Sequence, residues 1–361
     1  MSKLRQFFLP NNKSGVADKC LDKKDDKRKR NANIQKKWLT LNTPPFFGKA
    51  CMSPNKRWVV GCSDDDGHGT GGCRDKGCGR VLFLDYENDN VVFELTNIAR
   101  PVSAAVADTG RFLVLDCCFG TELQSELITI DPDKTEVYRR YLKANIFSMG
   151  ISKCGRYAIL QTCNAPNEDG NILSLMDLQS QSVLFSVTPS TSWADRYKFK
   201  VGTDGLLVSV LCEEKNVGWF SYAADGTFND SSAYLKARLE KGDYSVKILA
   251  AKELLDLSAE KQDAKIALEV VDTALLDGAN MRSDWSASAH KIRGEAFEIL
   301  DEPCKALMNP LMILVKIIKL RWIHILSYDQ MVSRKINNQT TRCANSIFYT
   351  TLFTNSAPNY T

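Results

Sequence analysis

The sequence predicts a β + α protein of several domains, with four blade-like units of short antiparallel strands followed by helical hairpins. A strand-like run ends in aspartate in three of the units, at Asp85, Asp131 and Asp177, which are spaced 46 residues apart. A fixed period of this length, filled with short strands, is typical of the blades of a β-propeller. After Phe228 the apolar period changes from two residues to about 3.6, which indicates amphipathic helices.

Each unit is expected to contain a strand, a tight turn and a second strand. Gly, Asn and Asp in these turns suit positive φ or cap the backbone with their own side chains. A run such as Phe112–Leu115, which is apolar at every position, indicates a strand buried on both faces, as stacked blades require. Four units are few for a propeller, so the ring is small or open, or one blade is unrecognised. The turns are Ser53–Trp58, Ala107–Phe112, Ser152–Tyr157 and Gly202–Leu207.

These units resemble the WD40-like or YVTN-like propeller superfamily. The likeness lies in the first strand, the turn with Gly-Arg at 110–111 and 155–156, the second strand, and the aspartate that ends the third strand. The Gly-His and Trp-Asp dipeptides of WD40 repeats are missing, so the resemblance is architectural. It implies a propeller-like domain over residues 46–230.

Size and composition indicate a globular chain of two or three domains, with 361 residues, 44% hydrophobic and 25% charged. A net charge of +4 is too small to argue for nucleic acid as a partner. Residues 1–10 lack the apolar run and cleavage site of a signal peptide, so a cytoplasmic location is expected. Several of the 12 cysteines lie in apolar strands, which favours reduced thiols over disulfides: Cys51, Cys117, Cys163 and Cys212.

Residues 1–45 are polar and basic, and we predict a disordered tail. Charged residues crowd the segment from Lys19 to Lys37, which leaves little apolar surface to bury. The alternative is an arm that binds phosphate groups or acts as a nuclear-localisation signal. Trp38, Leu39 and Leu41 could add a further strand at the entry to the blades.

Residues 231–307 carry apolar side chains at spacings of three and four, which predicts helical hairpins. Trp285 with the run Arg293–Asp301 and Ala306 is similar to the first helix and turn of a tetratricopeptide repeat (TPR). Ala267–Leu275 resembles the second helix of the preceding repeat. The resemblance implies a TPR-like domain, and it stops at residues 308–310, where a proline would interrupt the next helix.

Residues 308–361 form an atypical tail in which Asp329 is the sole acidic residue. It is a capping helix for the hairpins, a membrane-surface helix at residues 311–326, or a segment that does not continue the repeat natively, such as an out-of-frame read-through. We favour the third interpretation because the repeat pattern and the charge balance stop together. Such a tail would be disordered or poorly packed. The apolar run is shorter than the roughly 20 residues that span a bilayer, which argues against a membrane partner.

The loop at residues 62–78 is long and rich in Gly, Asp and Cys. Its three thiols and one imidazole, Cys62, His68, Cys73 and Cys78, could form a tetrahedral zinc site. The spacing is not that of a zinc finger or ribbon, and the alternative is a flexible surface loop with incidental cysteines. We therefore predict no cofactor, with zinc as the one candidate.

Arg57, Arg111 and Arg156 recur directly after the turns. We expect them to pair with acids of the neighbouring blade or with backbone carbonyls, and a basic ring for an acidic ligand is the alternative. The aspartates at the strand ends are expected to cap turns, and a ring of carboxylates around the channel is the weaker alternative.

The motifs favour an interaction protein over an enzyme. There is no nucleophile elbow, P-loop or dinucleotide-binding fingerprint, and the histidines are only His68, His290 and His324. We therefore assign no catalytic residue and predict a non-catalytic scaffold or adaptor that binds other proteins through its blades and helical repeats. The alternatives are a metal-dependent sensor or enzyme that uses the loop at 62–78, and a nucleic-acid adaptor that uses the basic tail.

Overall fold

A computed structural model describes residues 30–64, 75–277, 281–302 and 305. In these ranges the chain forms four antiparallel sheets, and four helices follow them. Neighbouring strands in each sheet are consecutive in the chain, so every sheet is an up-and-down meander, as propeller blades are. The predicted order of blade-like sheets followed by helices is confirmed.

The four sheets, called blades 1 to 4, have six, four, four and three strands. Blade 1 contains β1 (Ala32–Gln35), β2 (Trp38–Leu41), β3 (Phe46–Met52), β4 (Trp58–Ser63), β5 (Arg80–Asp85) and β6 (Asn90–Leu95). Blade 2 contains β7 (Pro101–Val106), β8 (Phe112–Asp116), β9 (Ser125–Ile130) and β10 (Glu136–Leu142). Blade 3 contains β11 (Ile146–Ile151), β12 (Tyr157–Thr162), β13 (Leu173–Asp177) and β14 (Ser182–Val187). Blade 4 contains β15 (Arg196–Val201), β16 (Leu207–Glu214) and β17 (Gly218–Ala223).

The blades stack face to face and share a core at each junction. β7 contacts β3 and β4, β11 contacts β7 and β8, and β15 contacts β11, so the first strands lie together at the centre. In the described residues, no strand of blade 4 packs extensively on blade 1. The four sheets of the described residues therefore form an open fan. The junction cores include Phe83, Phe112 and Val114; Leu113, Leu160 and Met176; and Ile159, Leu175 and Val210.

The disordered tail predicted for residues 1–45 is wrong for residues 32–41, which form the β1–β2 hairpin of blade 1, and the further strand considered at Trp38–Leu41 is β2. β2 pairs along the inner edge of β3, and the hairpin then crosses the outer face of blade 1. Glycine makes this possible, because a Cβ on Gly61 would lie 2.7 Å from Leu39 and 2.6 Å from Phe46. At the far corner, the Asp89 carboxylate accepts the backbone N–H groups of residues 31 and 32. The fan is thus capped at its first blade, and residues 1–29 lie outside the described residues.

A helix replaces the fourth strand of blade 4. Phe228 makes a single bridge to Tyr222 of β17, and α1 (Ser231–Lys241) begins directly after it. The Asp230 carboxylate does not cap α1 but accepts the backbone N–H of Ser221 at 2.6 Å and its hydroxyl at 2.8 Å. These two bonds tie the start of the helix to the edge of the sheet.

The remaining helices are α2 (Tyr244–Leu257), α3 (Lys261–Asp277) and α4 (Ser283–Ile299). α3 packs on both α2 and α4, and α2 also contacts α4. Alanines at the crossings, such as Ala251, Ala267 and Ala274, let the helices approach closely. Ala306 and residues 308–361, including 311–326, lie outside the described residues, and no described helix is long and apolar enough to cross a membrane.

Candidate docking groove beside blade 4

The recurring arginines bind the aspartate of their own blade, so the expected pairing with acids of the neighbouring blade is wrong. Strand pairing brings the start of each second strand beside the end of the third, as Tyr157 opposite Asp177 shows. Arg156 donates three hydrogen bonds to Asp177, the shortest at 2.7 Å. A similar pair joins Arg111 with Asp131, whereas the more exposed Arg57 makes a single bond of 3.3 Å to Asp85.

The expected bonds to backbone carbonyls do occur, and they cross to the next blade. Arg111 Nη1 donates to the carbonyl of Gly155 at 3.2 Å, and Arg156 Nη1 donates to that of Gly205 at 3.4 Å. In these two pairs the carboxylate orients a guanidinium that donates a hydrogen bond to the following blade. We call each pair, Arg111–Asp131 and Arg156–Asp177, an arginine clasp. Because clasp arginines are already paired, a basic ring for an acidic ligand finds no support in their geometry.

Of the four residues proposed as zinc ligands in the loop at 62–78, the structure describes Cys62 and Cys78. Cys62 lies in the core between blades 1 and 2, and burial raises the pKa of its thiol well above the ordinary value. Cys78 is exposed. His68 and Cys73 lie outside the described residues, and the described ones contain no group of three or more potential metal ligands. The zinc site stays a prediction.

The last blade presents a face that no other described element covers. β15 alternates side chains between its two faces, as strands do. Tyr197 and Phe199 point into the core shared with blade 3. The opposite face carries exposed Arg196, Lys198 and Lys200, and we call it the open face of blade 4.

A groove of about 880 Å³ lies along the inner edge of β15. The residues that line it come from the end of β11 and its turn, from β15 and β17, and from the first turn of blade 1. They are Pro54, Ile151, Ser152, Lys153, Cys154, Arg196, Tyr197, Lys198, Phe199, Val201 and Trp219. The groove thus sits where the fan stays open.

The groove combines cations with an aromatic and aliphatic surface. Lys198 Nζ lies 3.9 Å from the centroid of the Trp219 ring, a cation–π contact. Arg196 donates to Glu213 across the strands and holds the pKa of that carboxyl below its usual value. Val201, Leu206 and Val208 extend the apolar surface at the tip of the blade, where they are 36%, 54% and 51% exposed.

The side chains that line this groove are suited to binding anionic groups. Its described lining contains no histidine and no carboxylate, and Cys154 is its one thiol. Lysine and arginine heads at a groove can hold carboxylate or phosphate groups through charge-assisted hydrogen bonds.

Sequence reasoning did not identify this groove. The signal was present in Arg196–Lys200, where cations alternate with Tyr197 and Phe199 at the period of a strand that has one buried and one basic face. Which blade would end the fan depends on long-range packing, and the sequence pattern does not contain that information.

No family model matches the chain, and no curated protein matches it. Solved structures with partial similarity include hydrazine synthase of Kuenenia stuttgartiensis, at 17% identity over 48% of this chain and 44% of that one, with a TM-score of 0.31. A chain of the mitotic checkpoint complex is 8% identical over 54% of this chain and 60% of that one, with a TM-score of 0.35. The β-propeller domain of Myceliophteria thermophila Cps50 (Swd1) is 7% identical over 48% and 49%, with a TM-score of 0.32.

This chain spans about half the length of each of those chains. At these TM-scores the similarities add nothing to the blade assignment, which rests on the strand order and on the shared cores at each junction.

Proposed function

We propose that this protein is a non-catalytic scaffold that binds other proteins, with the groove beside blade 4 as its main docking site. The observation that carries the proposal is the open face of blade 4, which continues a stacked array and yet has no described cover. Half-buried aromatic side chains together with exposed aliphatic and cationic ones at one site favour a binding role over a catalytic one.

The helices offer a second surface, which we propose is TPR-like. The packing of α3 on both its neighbours, with α2 also touching α4, supports stacked helical hairpins. Leu249 and Ile266 remain 51% and 36% exposed on α2 and α3, where a partner helix or peptide would gain apolar contact. A cytoplasmic location agrees with free cysteines among the described residues.

Both surfaces belong to one rigid body in this proposal, because α1 is locked to blade 4. Tyr234 of α1 donates a hydrogen bond to Glu214 at 2.6 Å and accepts the backbone N–H of Ser192 at 2.9 Å. Its ring packs edge-on against Phe220. A scaffold needs such a fixed angle to hold two partners in a set relation.

The test is affinity capture with the full chain and single substitutions on each surface. We expect a partner recovered in stoichiometric amount to be lost with Lys198→Glu in the groove or Leu249→Asp on α2. Lys215→Glu, which makes the same charge change on the exposed β16–β17 turn, is the matched control and should retain it. Identical capture by all three variants would contradict the proposal.

The alternative function, a metal-dependent sensor or enzyme, is tested by a separate experiment. If the loop at 62–78 binds zinc, purified protein will contain one equivalent of metal, and Cys73→Ser will remove it while the blades stay folded. Stoichiometric zinc together with unchanged protein capture in the groove variants would favour a sensor or enzyme over the scaffold.

A further inference from the structure

We propose that the inner edge of β15 binds an acidic, extended segment of the partner protein as an added β-strand. This inference rests on the proposed scaffold function and specifies the chemistry and geometry of its docking site. The partner segment would lie in the groove, with its backbone paired to β15 and its side chains alternating between the two faces.

The backbone of β15 supplies the first part of the argument. In the described residues β15 pairs with β16 alone, so it is the end strand of its sheet and has one unpaired edge. Unpaired N–H and C=O groups on such an edge are a template for another strand. The groove of about 880 Å³ lies along this edge and leaves room for the incoming chain.

Blade 1 shows that a first strand of this fan accepts a further strand at its inner edge. β2 pairs there with β3, with Trp38 opposite Lys49 and Leu41 opposite Phe46. At blade 1 the chain itself provides the added strand. β15 is the equivalent strand at the other end of the fan, and there no described segment occupies the edge.

The charged side chains around the groove indicate which kind of partner strand can pair with β15. Arg196 is already paired with Glu213, but Lys198 and Lys200 also lie on the open face, and Lys153 lines the groove. Directly opposed charges of opposite sign stabilise neighbouring strands, whereas like charges destabilise them. The same lysines oppose pairing with β15 of a second copy. An acidic strand is therefore the occupant that the edge favours.

The other face sets the remaining positions of the segment. Side chains between the acidic ones would point towards Ile151, Phe199 and the backbone of the β11 turn, which favours Val, Ile or Phe. The expected motif alternates acidic and apolar residues with a period of two. A single-stranded nucleic acid would satisfy the cations and stack on Trp219, but it would leave the backbone edge unpaired.

The test uses a labelled peptide of about eight residues, an ordinary strand length, in which Glu alternates with Val or Phe. We expect saturable binding to the full chain, weakened by salt and lowered by at least roughly tenfold in Lys198→Glu/Lys200→Glu. Lys215→Glu should bind as the wild-type protein does. A peptide with Lys in place of Glu should not bind.

Two readouts report strand addition itself. Bound peptide should slow amide hydrogen exchange in residues 196–201. Methylating alternate peptide nitrogens in one register should abolish binding, whereas methylating the other set should leave it, because a strand pairs through every second N–H. Equal effects of both sets, unchanged exchange in β15, tighter binding of an oligothymidylate, or occupation of the edge by a second copy would each overturn the proposal.

The outcome separates this proposal from the scaffold function. If capture of a partner depends on Lys198 while β15 exchange and the methylation pattern do not change, the scaffold stands and strand addition is wrong. If no captured partner depends on the groove or the helices, the scaffold function itself is wrong.

Discussion

At the scale of single residues, a pair formed by one arginine and one aspartate recurs in each of blades 1 to 3. An aspartate at the end of a third strand and an arginine at the start of a second strand meet because the two strands are antiparallel neighbours. A bidentate pair holds the guanidinium plane fixed, and charge-assisted hydrogen bonds are stronger than neutral ones. The hydrogen bonds that Arg111 donates to the Asp131 carboxylate raise the pKa of its guanidinium, which also reaches the Gly155 carbonyl of blade 3.

Removing a clasp should loosen a junction between blades. Arg111→Gln loses the pair with Asp131 and the bond to Gly155 together, so the free energy of unfolding should fall by about 1–3 kcal/mol. Arg282→Gln, which breaks a more exposed pair with Asp284, should cost less than about 1 kcal/mol. Urea unfolding of both variants measures this difference, and equal losses would show that the clasp contributes no more than a surface ion pair.

The clasp carboxylates also predict an acid dependence. Burial alone would raise the pKa of Asp177, but hydrogen bonds from Arg156 and from backbone N–H groups outweigh it and leave the pKa below the ordinary value of 3.8. Because the folded-state pKa is below the unfolded one, the ionised carboxylate stabilises the fold at neutral pH. That contribution is lost as the pH falls through the unfolded pKa towards the folded one.

We therefore expect Asp177→Asn to be less stable than the wild-type protein at pH 7 and to lose less stability between neutral pH and pH 3. Asp277→Asn, at the exposed end of α3, is the matched control and should keep the acid dependence of the wild type. The free energy of unfolding measured against pH decides between them. Parallel curves for all three proteins would contradict this assignment.

At the scale of elements, local patterning predicted most of the strands, because consecutive pairing needs only local turns. The predicted run from Leu173 to Asp177 is β13 as observed. The sequence allowed a further strand at Trp38–Leu41, which is β2, but β1 was assigned to the tail because four residues among lysines give too short a pattern to separate from a charged segment. The partner of each clasp arginine and the open edge of β15 depend on register and on distant packing, so the sequence did not reveal them.

The link between α1 and blade 4 is an element whose strength can be measured. Tyr234→Phe keeps the ring contacts and removes one hydroxyl, which leaves the buried Glu214 carboxylate without that donor. An unsatisfied buried polar group costs about 1–3 kcal/mol. We expect a loss of this size and faster amide exchange in α1. Tyr141→Phe, whose exposed hydroxyl bonds Gln124, should change neither quantity.

At the scale of the whole molecule, the fan is a linear stack in which each blade packs on its neighbours in sequence. In such arrays the free energy of unfolding is close to the sum of the contributions of each unit and of each junction between units. The end units need a further element that covers their outer face. The β1–β2 hairpin caps blade 1, and α1 covers only the outer edge of blade 4, because it packs on Val217, Phe220 and Phe228. The two ends of the fan are therefore unequal, and the uncapped end is the one that carries the groove.

A linear stack should lose its last blade before its first. Val210 is fully buried in the junction of blades 3 and 4, and Val210→Ala should weaken that junction by about 2 kcal/mol. Amide exchange should then quicken in β15–β17 and in the helices attached to them, while β8 and β9 keep their protection. Val114→Ala, in the core between blades 1 and 2, is the matched change and should quicken exchange in the first two blades instead. If either variant accelerates exchange uniformly, the blades unfold as one cooperative unit, as a closed ring would, and the fan is not a linear stack.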